Sequence, residues 1–171
     1  PTPKLKEPVR FSSTMTLRSL RPGTMVSVSP TQKGAGDPVA FEGARRAWAK
    51  AKEQAGITLD DLDLVETHDC FTMAEMIEYE VMGLAKPGEG WKVVREGHTR
   101  RGGKLPVNLS GGLKSRGHPI GATGVSQHVM AAMQLTGDAG EMQLDGAKLA
   151  GVFNMGGAAV ANYVSILERL K

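Results

Sequence analysis

The chain has 171 residues, enough for one domain with a substantial core and too few for two of ordinary size. Hydrophobic residues make up 40% and charged residues 23%, the balance of a folded domain, and no apolar run approaches the roughly 18 residues of a membrane span, so a soluble, cytoplasmic protein is expected. The single cysteine excludes an internal disulfide and a cysteine-based zinc cluster; the net charge of +3 is scattered among acids with only 5% aromatics, which argues against nucleic acid and suits an anionic small ligand.

KEPVRFSSTMTLRS alternates around Val9, Phe11 and Ser13 and predicts a strand from Val9 to Leu17. RPGTMVSVSPTQKGAGDP, broken by Pro22, Gly23, Pro30, Gly34, Gly36 and Pro38, reads as loop. A helix follows: Asp37 can cap it, Pro38 suits its first turn, and Phe41, Ala44, Trp48, Ala51 and Ala55 recur at helical spacing before Gly56 stops it. Asp61 to His68 reads as a short buried strand through Leu62, Leu64 and Val65. A second helix is predicted from Thr72, with Thr72 and Glu75 as a capping box and Met73, Met76, Ile77, Val81 and Leu84 inward, until AKPGEG ends it. Residues 85–104 read as a loop excursion and LPVNLSGG as a strand end. GHPIGATGVSQHVMAAMQL enters a third helix expected to bury Ala122, Val125, Val129, Ala132 and Met133. Two strands joined around Gly156 and Gly157 close the chain, the second with Val160, Val164 and Ile166 on one face. The order βαβαβαββ predicts an α/β fold, a mixed and mainly parallel sheet with an antiparallel edge and helices on both faces.

In such a sheet ligands gather beyond the carboxyl ends of the strands. Three unusual stretches fall there: HDCF (68–71) after the second strand, GHPIGATG (117–124) before the third helix, and FNMGG (153–157) between the last two strands. Gly117 and Gly121 permit a tight turn and close approach to a ligand, Pro119 fixes the path, and the helix behind presents free N–H groups to negative charge. His118 is thereby held on a rigid turn, where an imidazole exchanges a proton near neutral pH. No Gly-Lys-Ser or Gly-Lys-Thr follows the glycines, so this is not a Walker phosphate loop. In ETHDCF, Glu66, His68, Asp69 and Cys70 all carry reactive groups. Cys70 admits two readings: a small buried hydrophobe beside a His68 hydrogen-bonded into the core, or a reactive thiol whose pKa the following helix start can lower.

HDCFTMAEMIEYEVMGL, GGKLPVNLSGGLKSRGHPIGATG and FNMGGAAVANYV together resemble the C-terminal half of thiolases, most closely the sterol-carrier-protein type and its bacterial and archaeal acetyl-CoA acetyltransferase relatives, from about Val9 to the end. The resemblance implies a thiolase C-terminal domain over 1–171, part of an acyltransferase that forms or cleaves a carbon–carbon bond next to a CoA thioester through an acyl-cysteine. It implies that His118 activates the nucleophile and helps form an oxyanion hole. His68 would stand where many members have the asparagine that holds a water for the second oxyanion hole, and Cys70 would be the acid/base at the α-carbon. Ser110, Gly111 and Gly112 would line a pantetheine channel; coenzyme A enters as substrate, and no metal is implied.

Two departures from the family pattern matter. VFNMGG lacks the cysteine of a Cys-x-Gly motif, which points the acid/base role to Cys70. The nucleophile's Cys-x-Ser motif belongs to the N-terminal half and has no counterpart here. The chain is therefore expected to be inactive alone, as a fragment (it starts without methionine) or as a subunit that pairs with an N-terminal half, to expose an apolar face, and to form a homo-oligomer. The alternatives are a non-catalytic acyl-CoA-binding or assembly module and a thiolase-like retro-aldolase. Relatives of the latter kind carry tyrosines in place of the motif histidines, whereas Tyr79 and Tyr163 lie outside those motifs. Elsewhere, His128 is expected to be packed or at the surface and His98 solvated. Lys92, Arg95, Arg100, Arg101 and Lys104 read as a solvated loop face, with contact to CoA phosphates as the alternative. Met73, Met76 and Met82 read as core, not as a flexible acyl-binding patch.

Overall fold

The computed structural model describes residues 16–17, 26–27, 40–157 and 159–169, the first two pairs by backbone. Two short strands, β1 (Thr16–Leu17) and β2 (Val26–Ser27), come first. β1 is the end of the strand expected from Val9, whose earlier residues lie outside the described ones; β2 falls within a stretch expected to be loop. Helix α1 (Glu42–Ala55) places Ala44, Ala47, Trp48 and Ala51 three or four apart on one buried face, and Gly56 in the left-handed region ends it. Phe41 stands at its N-cap with φ 47°, outside the helical stripe, and the expected cap Asp37 and first-turn Pro38 lie outside the described residues.

Strand β3 (Leu64–Glu66) is shorter than the expected run to His68. Helix α2 (Thr72–Met82) begins where predicted, but Phe71 is its N-cap and Thr72 is already helical, so the expected Thr72–Glu75 capping box does not form. The Glu75 carboxylate accepts instead from the Tyr79 hydroxyl at 2.6 Å and from Asn108 Nδ2 at 3.4 Å. Helix α3 (Gly90–Arg95) occupies the middle of the stretch expected to be loop; Gly90 makes it possible, because a Cβ there would stand 2.1 Å from the Met76 carbonyl oxygen of α2. Helices α4 (Gly112–Arg116) and α5 (Thr123–Thr136) flank the Gly117–Gly121 turn, and β4 (Leu149–Gly156) and β5 (Ala161–Glu168) finish the fold.

The sheet runs β3–β4–β5, with β1 and β2 both pairing on the far side of β5. It is mixed, as expected, but not mainly parallel: β3 and β4 form the parallel pair, while β4–β5, β1–β5 and β2–β5 are antiparallel. LPVNLSGG, expected as a strand end, adds one parallel bridge from Val107 to Val65. The β4–β5 hairpin is the local reason, since a four-residue connection reverses the chain where a parallel neighbour needs a crossover.

Side-chain alternation sends Val65, Phe153, Met155, Val164 and Ile166 to the face covered by α1 and α2, and Leu64, Ala150, Val152 and Leu167 to the face covered by α5. Val160, expected on the first face, lies in the turn before β5; Asn162 takes that register and donates Nδ2 to the Ala159 carbonyl at 2.7 Å. The expected inward stripe of α5 is its outward one. Thr123, Gln127, Ala131, Gln134 and Leu135 are buried, while Val125 and Val129 are exposed. Gln127 can face inward because its amide donates to the Phe153 carbonyl at 3.0 Å, and Gln134 because it donates to the Met142 carbonyl and accepts from Leu144 N, both at 2.7 Å.

Candidate active site

β3 and β4 are parallel, so their carboxyl ends lie together, and the first turn of α5 reaches the same end of the sheet. The residues that follow β3, the Gly117–Thr123 turn and the end of β4 there enclose a cleft of about 660 Å³. All three stretches singled out in the sequence contribute: His68, Cys70 and Phe71; His118 to Gly121; Asn154 to Gly157.

Two of the four reactive groups of ETHDCF build the frame. The buried Glu66 carboxylate accepts from the Ser110 hydroxyl at 2.7 Å and from Arg116 Nη2 at 3.1 Å; Arg116 Nη1 in turn reaches Ser126 Oγ on α5. Asp69 accepts from Leu113 N at 2.9 and 3.1 Å, capping α4 from outside; Gly112, at φ 63°, is required there because a Cβ would lie 2.1 Å from Asp69 Oδ2. Thr67 lies between them, its N–H donating to Asn108 Oδ1 at 2.8 Å and its hydroxyl to Glu78 Oε2 at 2.5 Å. That leaves His68 and Cys70 facing the cleft.

The two imidazoles meet edge to face, ring centroids 4.8 Å apart. His118 Nδ1 lies 2.8 Å from Thr123 Oγ1, and that hydroxyl donates to the Pro119 carbonyl at 3.2 Å. With its hydrogen committed, Thr123 accepts from His118 Nδ1–H, so the His118 Nε2 lone pair is free to take a proton. His68 Nδ1 lies 2.7 Å from Asn154 Oδ1. Burial pushes the His68 pKa down, against the Asn154 hydrogen bond, and the positive charge of His118 pushes the same way.

Cys70 is half-buried, and its thiol pKa is raised, not lowered as a helix start alone would suggest: burial comes first, then the charges of Glu78 and Asp69, over backbone N–H groups that oppose them. The group is a thiol at neutral pH, suited to giving a proton. The rim is bare and apolar: Phe71 is 74% exposed, Ile120 fully exposed and Val125 65%. A second cleft of about 530 Å³, bounded by Glu75, Tyr79, Asn108 and Lys114, adjoins the first and shares Cys70, Phe71 and His118.

The other candidates fall elsewhere. Ser110 and Gly112 are buried in the frame that holds Glu66 and Asp69, and Gly111 borders the second cleft; none of the three lines the histidine cleft. His128 is packed, Nδ1 donating to the Gly124 carbonyl at 2.6 Å and Nε2 accepting from Ser165 Oγ at 2.9 Å. His98 is half-buried beside Glu96, 3.4 Å away, and not fully solvated. Lys92 pairs with Glu89, Arg95 lies 4.6 Å over the Trp91 ring, Arg101 donates to the Glu141 carbonyl and Lys104 lies 3.8 Å from Asp60; none of these, nor Arg100, borders the histidine cleft. Met82 is core as expected, but Met73 is exposed and Met76 half-buried in a surface groove beside Trp91. Arg116, Ser126 and Glu78 carried no sequence signal of their own, and Thr123 and Asn154 lie in stretches singled out without a role for either; all five matter through contacts that the fold creates.

A family model described as thiolase C-terminal domain-like matches residues 27–169. The chain is 45% identical over 123 residues to sterol carrier protein 2 of Homo sapiens, covering 71% of this chain and 22% of that protein. It is 44% identical over 126 residues to the acetyl-CoA acetyltransferase of Methanothermobacter thermautotrophicus, covering 74% and 32% respectively. To the benzoylsuccinyl-CoA thiolase subunit BbsB of Thauera aromatica it is 42% identical over 100 residues, covering 58% and 25%. The chain thus spans about a fifth to a third of the length of these relatives. The solved structure of an Ltp2-ChsH2(DUF35) aldolase shares the fold, with a TM-score of 0.64 at 21% identity over 75% of this chain and 32% of that one.

Proposed function

Since this chain belongs to the thiolase C-terminal domain family, we propose that it is the C-terminal half of a thiolase-type acyltransferase, acting on acyl-CoA together with an N-terminal half that brings the nucleophilic cysteine. The observation that carries the reading is one cleft onto which a free His118 Nε2 and the protonated Cys70 thiol both open.

In the cleavage direction the nucleophile's thiol gives its proton to His118 Nε2, and the thiolate attacks the 3-keto carbon of the substrate. The His118 imidazolium then donates toward the oxygen on which negative charge develops. Collapse of the adduct breaks the bond between the α- and β-carbons and leaves the electron pair on the α-carbon as a thioester enolate. Cys70 Sγ–H protonates that carbon and becomes a thiolate, which recovers a proton from the incoming CoA thiol; CoA then takes the acyl group, and the nucleophilic cysteine regains its proton from His118. Ser110 and Gly112 serve within the frame that holds Glu66 and Asp69, and Gly111 borders the adjoining second cleft. The bare rim of Phe71, Ile120 and Val125 is where the other half would close and exclude water.

In the complete enzyme, Cys70→Ala is expected to abolish exchange of the α-protons of acyl-CoA with solvent while single-turnover acylation persists. Exchange at the wild-type rate would rule out Cys70 as the proton donor. A retro-aldolase would instead release an aldehyde or ketone from a 3-hydroxyacyl-CoA without an acyl-enzyme, and a binding module would take up acyl-CoA without either product; the same assay separates all three.

A further inference from the structure

We infer that Asn154 is a positioning residue for His68, its amide oxygen holding the imidazole as the Nδ1–H tautomer and leaving Nε2 as a bare acceptor in the cleft. The inference rests on the thiolase reading for the reaction it serves, and on geometry for the tautomer. A carboxamide oxygen only accepts, so the hydrogen of the 2.7 Å contact sits on His68 Nδ1. His68 is buried, and Asn154 is confined: β4 holds its backbone opposite Tyr163, and a Cβ on Gly124 of α5 would stand 3.0 Å from Asn154 Nδ2.

The consequence comes from the second ring. Thr123 commits His118 to the same tautomer, so two imidazoles 4.8 Å apart share the cleft with both Nε2 atoms bare, and neither can donate to an oxyanion until a proton enters. Burial disfavours that proton on His68, against the Asn154 hydrogen bond, and in the proposed reaction the nucleophile's thiol delivers it to His118 Nε2. His118 Nε2–H becomes the direct donor. His68 stays neutral and acts on the thioester oxygen only through a group that donates to it, such as the hydroxyl of a bridging water. Asn154 thus fixes which His68 nitrogen faces the cleft, and burial makes the pair unequal.

The test uses the complete enzyme carrying this chain, labelled with ¹⁵N-histidine and assigned by comparison with His68→Gln. Around neutral pH, His68 is expected to give a pyrrole-type nitrogen at Nδ1 and a pyridine-type nitrogen at Nε2. Asn154→Leu should average the two, and the near-isosteric Asn154→Asp should protonate both and move the His68 titration midpoint upward. A proton on Nε2 in the wild type, a Leu variant with the tautomer unchanged, or an Asp variant with His68 still neutral would each overturn the assignment. If the Leu variant does not fold, the wild-type and Asp spectra decide. An enzyme without thiolase turnover that keeps the Nδ1–H signature would refute the functional reading and support this one.

Discussion

Cys70 shows how a side chain's surroundings reverse what its neighbours in sequence suggest. Its place before α2 offers backbone N–H groups to a thiolate, but the half-buried sulfur also lies near the carboxyl groups of Glu78 and Asp69, and burial dominates. A thiol pKa raised above the ordinary 9.0 means that the reactive thiolate is scarce at neutral pH. Alkylation of this single cysteine by iodoacetamide, followed by mass spectrometry across a pH series, should therefore show a midpoint above that of free cysteine, shifting down in Glu78→Gln. A midpoint below the free value would mean that the helix start prevails.

Between elements, the decisive contacts tie β3 to the turn that carries His118. Arg116 ends α4 two residues before His118 and joins Glu66 on β3 to Ser126 on α5, so the Gly117–Gly121 turn is held at both shoulders. Burial raises the Glu66 pKa, against the Ser110 hydrogen bond and the Arg116 charge. Arg116→Leu leaves that carboxyl without its cation in the interior, and the expected loss is about 3 kcal/mol in denaturant unfolding. Adding Glu66→Gln should recover part of it, since the uncompensated charge is then gone. A single variant as stable as the wild type would show that solvent or a proton satisfies Glu66.

Across the whole molecule, buried carboxyls set the pH response. Glu78 lies in the core with its pKa well above 4.5, through burial first and then the charges of Glu75 and Asp69, against the Thr67 hydrogen bond; its Oε1 has no hydrogen-bond partner among the described residues. The folded state therefore holds a proton that the unfolded chain releases above 4.5, and the contribution of Glu78 to stability falls as pH climbs from there to the raised value. Glu66 and Glu75 act in the same direction. Thermal unfolding should show a melting midpoint that declines as pH rises above 4.5. Glu78→Gln should flatten that decline, each kcal/mol moving the midpoint by about 2–4 °C. An unchanged slope in the variant would remove Glu78 from the account.

The amino-acid sequence by itself determined the α/β class, the places where α1 and α2 run, and the three stretches that border the cleft, because helical spacing, capping glycines and Gly-His-Pro are local signals. Only the tertiary structure decided which stripe of α5 faces the sheet, that the strands are mostly antiparallel, and that Glu66 and Asp69 are framework while His68 and Cys70 face the ligand space. The reason is range. An apolar stripe does not say what will cover it, and a polar side chain becomes core, anchor or reagent according to partners far along the chain: Asn154 is 86 positions from His68, and Arg116 is 50 from Glu66.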